Sequence, residues 1–192
     1  MGLLDTLLGR SKPVKPDLDE LFALPSAAVT LEAAGGLHPT GVGSVCVKSA
    51  EGAAFAGLRE QIDQLLATDA AEGGRKYEES VDKYGFSWLS RHTSPEDVSG
   101  LVTDLHAVNS TLDGAGFGPA LLCTLVAFSD GQAPTIGLIY LFKRGTWYPF
   151  APLGGTKRDN AREMQVRAMV GDDLKIETDL ARWFPVWEAP GL

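Results

Sequence analysis

The chain is 192 residues long, 44% hydrophobic and 22% charged, with 22 glycines and 11 prolines. That length and apolar content support one compact domain with a real core, and they exclude a chain that is disordered throughout. Seventeen basic and 25 acidic residues leave a net charge of −8, which repels phosphate backbones, so no nucleic-acid partner is expected.

No stretch reaches the roughly 18 apolar residues that cross a bilayer, so no transmembrane segment is expected. Cys46 and Cys123 are far apart, with no CxxC spacing and no Cys/His cluster around either. This pattern gives neither a disulfide framework nor a zinc site, and it fits a reduced, cytoplasmic chain with two small buried thiols.

At the N-terminus, Leu3, Leu4, Leu7 and Leu8 fall at i, i+1, i+4 and i+5, one face of two helical turns, and Gly9 offers a stop. Arg10, Lys12 and Lys15 follow, with Pro13 and Pro16 stiffening the backbone. Only Asp5 opposes these cations, so the segment is basic where the rest of the chain is acidic. The chain therefore divides into residues 1–16, an amphipathic helix with a basic, proline-spaced tether, and residues 17–192, a single domain. The leucine face either caps the domain's own core or docks on a partner groove or membrane interface, which makes these four leucines the candidate partner-binding residues.

Within the domain, Leu18, Leu21 and Phe22 suggest a short helix closed by Pro25, and 27–31 reads as a strand. A Gly/Pro loop over 35–41 precedes a strand at 44–48. Phe55, Leu58, Ile62, Leu65 and Leu66 repeat at helical spacing, so a helix is predicted over 53–68. Residues 77–81 and 84–91 look like paired strands, the second with Tyr84, Phe86 and Trp88 on one face. Ser94-Pro95-Glu96-Asp97 starts a helix, with Ser94 as cap, that places Val98, Leu101, Val102, Leu105, Val108 and Leu112 on one face and stops at Gly114 or Gly116. Asn109 falls inside that apolar stripe and needs a buried partner, a strand backbone or a Ser/Thr hydroxyl.

Segments 119–129 and 135–143 are apolar on both alternating faces and turn at Asp130-Gly131-Gln132, as central strands covered on two sides do. Pro149 demotes 146–150 to an edge strand. A last helix over 159–170 carries Val166 and Val170 on one side and Ala161, Met164 and Ala168 on the other, so one side should lie on the sheet and the other meet either the aromatic tail 183–187, folded back over the valines, or a second protein molecule. Strands in adjacent pairs separated by helices indicate an α+β fold with a mainly antiparallel sheet, in an order analogous to secretion-chaperone-like folds.

Catalytic chemistry is not written in the motifs. His38, His92 and His106 lie in different segments without HExxH or i, i+4 spacing, and there is no Gly-x-Ser-x-Gly elbow. No catalytic residue, metal or cofactor is expected. Gly114-Ala115-Gly116-Phe117-Gly118 follows a helix, the reverse of a phosphate cradle. Gly154-Gly155-Thr156-Lys157-Arg158 precedes a helix and is the candidate anion-binding loop of an enzyme or small-anion sensor, although it lacks P-loop spacing.

Four segments, MGLLDTLLGRSKPVKPDLDELFALPSA, LVTDLHAVNSTLDGAGFGP, FKRGTWYPFAPL and DLARWFPVWEAPGL, resemble the actinobacterial PspA-associated family PspAB, nearly end to end and least over 70–92. The resemblance implies a small cytoplasmic protein of the phage-shock envelope-stress system, whose central PspA protein coats the inner face of the membrane. It implies no catalytic residues. The function expected from it is a non-enzymatic accessory that binds another protein of that machinery, with PspA a candidate partner and peripheral membrane contact open.

Overall fold

The computed structural model describes residues 16–48, 57 and 77–192. The face made by Leu3, Leu4, Leu7 and Leu8 lies outside the described residues, and so does the helix predicted over 53–68, apart from Gly57, which is helical. Among the described residues six strands form one sheet: β1 (His38–Lys48), β2 (Glu78–Val81), β3 (Phe86–His92), β4 (Leu121–Ser129), β5 (Ile136–Leu141) and β6 (Thr146–Phe150), in the order β2-β3-β1-β4-β5-β6. Every ladder is antiparallel. With helices α1 (Leu24–Gly35), α2 (Val98–Leu112) and α3 (Asn160–Val170), the fold is α+β with an antiparallel sheet. The two apolar strands are β4 and β5, turned by Asp130, whose Oδ1 accepts from the Gln132 and Ala133 amides at 2.9 and 2.8 Å.

The two-residue period of a strand sends alternate side chains to opposite sides of the sheet. The first face carries Val45, Val47, Leu89, Val126, Phe128 and Leu138 into a core shared with α1 and α2. From α2, Leu101, Val102, Leu105, Val108 and Leu112 are all buried there, each side chain contributing about 1.5–3 kcal/mol by leaving water. Close approach requires Gly43 on β1, where a Cβ would come within 2.7 Å of Leu105 Cδ1 and 3.1 Å of Leu101 Cδ1. Asn109 Nδ2 donates to Thr124 Oγ1 on β4 at 2.9 Å and to the Leu105 carbonyl at 2.8 Å, the hydroxyl partner its position calls for.

Three local expectations are corrected. Residues 27–31 belong to α1, not to a strand: Pro25 opens this helix rather than closing one, because the first turn needs no proline N–H. Leu24, Ala27, Ala28 and Leu31 then form its buried stripe. The cap of α2 is Asp97, whose side chain accepts from the Gly100 amide at 2.9 Å; Ser94 instead closes the preceding turn through its carbonyl to the Asp97 amide. On α3, Val166 and Val170 face the core shared with α1 and the sheet, while Ala161 and Ala168 are exposed. The tail does not cover these valines; it lies on the second face of the sheet, in a cluster against which Met164 of α3 packs.

Strand β6 is an edge, as Pro149 predicts. Trp147 turns its backbone outward, donating to the Lys175 carbonyl and accepting from the Glu177 amide, each at 2.8 Å. Pro149, two residues on, shares that outward parity, so its missing N–H costs the sheet no ladder bond.

Candidate functional site

The second face of the sheet holds the candidate site, and a β-bulge builds its floor. Cys46 pairs with Cys123 but Val47 pairs with Leu121, leaving Leu122 as an extra residue on β4. A bulge re-aims side chains, and here Leu122 joins Cys123 in lining the same cavity. Phe86 and Trp88 of β3 and Tyr148 of β6 extend the floor, and Phe184, Val186 and Trp187 of the tail form the opposite wall. The cavity volume is ≈ 660 Å³, within the roughly 300–1,000 Å³ of small-molecule sites.

The tail is fixed by several independent bonds. Tyr148 OH donates to the Phe184 carbonyl at 2.8 Å, and the Trp183 ring stacks on Tyr148 at 5.8 Å between centroids. Trp183 Nε1 donates to the Glu177 carbonyl at 3.0 Å, and Trp187 meets Phe150 edge-on at 5.0 Å. Arg158 Nη1 donates to the Trp183 carbonyl at 2.8 Å.

Inside the cavity, the polar groups of the lining are spent on the protein itself. Trp88 Nε1 donates to Asp82 Oδ2 at 3.0 Å, while Asp82 Oδ1 accepts from the Tyr84 and Phe86 amides. The hydrogen bond with Cys123, followed by burial, pushes the Cys46 thiol far above its ordinary range, and burial does the same to the Tyr148 phenol. Both groups are neutral near pH 7. The mouth differs: Lys48 ends β1, Lys143 and Arg144 turn out of β5, and Arg182 comes from the tail. The pairings Val47–Leu121 and Cys123–Leu141 put the first three at one end of the strands. Arg144 Nε bonds Glu177 Oε2 at 3.1 Å, Arg182 Nε bonds Asp179 Oδ2 at 3.0 Å, and Lys143 Nζ donates to the Pro119 carbonyl at 2.7 Å.

The candidate anion loop is placed elsewhere, before α3. Gly154 and Gly155 have φ of 90° and 59°, the left-handed backbone that favours glycine. Thr156 and Lys157 are exposed, but Arg158 turns inward, with Nε 2.9 and 3.0 Å from the two oxygens of buried Glu163 and its guanidinium 5.0 Å over the Phe150 ring. The start of α3 is capped by Asp159, which accepts from the Arg162 amide at 3.0 Å. The loop's arginine thus braces the tail, and the helix end already faces a carboxylate.

The histidines stay apart, His38 beside Glu32, His92 beside Glu78 and His106 beside Asp19. Among the described residues no group of three or more metal-ligating side chains converges, and no helix is long and apolar enough to cross a membrane. Sequence reading missed the Cys46–Cys123 pairing and the role of Leu122, since both follow from a register set across the sheet. The readable signals were the two-sided apolar character of 119–129 and an aromatic tail that needed burial.

No curated protein and no solved structure matches the chain. A family model does, over residues 1–191, and its description is PspA associated protein B. With nearly its whole length matched, the chain belongs to the PspAB family.

Proposed function

We propose that this protein is a non-enzymatic accessory of the phage-shock envelope-stress machinery that works by binding another protein, with PspA as the partner and the cytoplasm as its location. The observation that carries the reading is the family match itself, whose description names association with PspA. Docking runs through the face of Leu3, Leu4, Leu7 and Leu8, an apolar stripe of the kind that helices lay into partner grooves. The residue that follows the tether is tied to the domain, since Tyr140 OH donates to the Asp17 carbonyl at 2.6 Å. Membrane contact is then made through the partner.

The experiment is co-purification from the native host of the tagged full-length protein and of the Leu4→Asp/Leu8→Asp variant. Recovery of PspA with the parent and its loss with the variant supports the reading. Equal recovery with both removes the leucine face from it, and absence of PspA from both removes the partner.

A further inference from the structure

The cavity on the second sheet face has no place in a docking role for the N-terminal leucines, and its chemistry is specific. Its walls are aromatic, aliphatic and thiol groups, and the two polar groups of its aromatic floor are already bonded within the protein: Trp88 Nε1 to Asp82 and Tyr148 OH to the Phe184 carbonyl. A polar ligand body would lose its hydrogen bonds to water there and find no replacements. An alkyl chain loses nothing and gains the burial. The mouth selects the other end of the ligand. Four cations, Lys48, Lys143, Arg144 and Arg182, stand against one lining carboxylate, Asp82, and that carboxylate is occupied by three N–H donors. Arg144 and Arg182 are partly neutralised by Glu177 and Asp179, which leaves the two exposed lysines, Lys48 and Lys143, as cations whose charge no carboxylate offsets among the described residues, Lys143 Nζ also donating to the Pro119 carbonyl.

We infer that this cavity binds a long-chain amphiphile with an anionic head, the alkyl chain seated between the sheet and the aromatic tail and the head held by Lys48 and Lys143. The lysines of that mouth are of the wrong sign for the basic residues 10–15 of the N-terminal tether and of the right sign for an anionic head. The inference is independent of the PspA reading, since none of the cavity residues belongs to the leucine face.

The test uses the full-length protein with two probes of one chain length, laurate and 1-dodecanol, followed by calorimetry and by the fluorescence of Trp88 and Trp187, both cavity residues. Saturable laurate binding at one site, at least about tenfold tighter than dodecanol, is expected, a ratio worth about 1.4 kcal/mol. Lys48→Glu/Lys143→Glu changes exposed residues only, and it should abolish the preference for laurate while keeping dodecanol binding. Leu122→Trp, which fills the cavity, should abolish both. Absence of saturable laurate binding, equal affinities for the two probes, or a laurate preference untouched by the lysine reversal each overturns the inference. Sedimentation of the protein with phosphatidylglycerol vesicles, without uptake of free laurate, also overturns it by placing the contact on a flat surface rather than in the cavity.

Discussion

Cys46 lies directly across the β1–β4 ladder from Cys123, and both thiols are free and buried on the floor of one cavity. The hydrogen bond with Cys123, and then burial, favour the protonated form of Cys46, and the thiolate is the reactive form. Reaction with a bulky aromatic disulfide reagent should therefore be slow in the native protein and complete in denaturant. The native rate should show no levelling near pH 9, where an ordinary thiol with a pKa of about 8.5 approaches saturation. A fast native reaction with a plateau near that pH would contradict the buried pair.

The bond from Asn109 to Thr124 ties α2 to the central strand with both groups fully buried. Asn109→Ala should cost about 1–3 kcal/mol, because it leaves the Thr124 hydroxyl without its donor. Thr124→Val, measured alone and in the double variant, should give a coupling of about 0.5–3 kcal/mol in denaturant melts. Additive losses would mean that the pair does not act as a unit.

How far the fold can be read in advance depends on how local its causes are. Helix α2 was legible because six apolar residues at 3.6-residue spacing leave one solution, and Asn109 stood out against them. Strands β4 and β5 were legible as central because neither face is polar. The segment 27–31 reads as a strand although Leu24, Ala27, Ala28 and Leu31 hold helical spacing, because Pro25 reads as a stop when it marks a start. The cavity could not be read from local pattern: it depends on the bulge at Leu122 and on where the tail lands, and both are decided by contacts between residues far apart in the chain.

Arg158 and Glu163 form a largely buried pair that also holds the tail, through the Trp183 carbonyl, and β6's end, through the Ala151 amide. Glu163→Ala leaves that guanidinium without its counter-charge and should cost about 3 kcal/mol, the low end of the range for breaking a buried pair because Arg158 keeps some contact with water. Tryptophan emission should shift to the red as Trp183 is released. A full-sized loss of stability with unchanged emission would mean that the pair does not brace the tail.

Glu177 provides a pH signature. Burial opposes its ionisation, but the Asp179 amide, Arg144 and Thr146 outweigh burial and hold its carboxyl below the ordinary 4.5. A carboxyl depressed in the folded state stabilises above the unfolded value, and the contribution fades as pH falls through the folded one. Glu177→Gln should accordingly be less stable than the parent at pH 7, and the gap should narrow as pH drops below 4.5. A gap that stays constant or widens with acid would contradict the assigned partners.

The proposed docking of the leucine face on PspA is tested by the affinity of purified PspA for the full-length protein and for Leu4→Asp/Leu8→Asp. Docking through this face requires saturable binding by the parent and at least about a tenfold loss in the variant, about 1.4 kcal/mol or more, with no change in melting temperature. Equal affinities, or no binding by the parent, would contradict it.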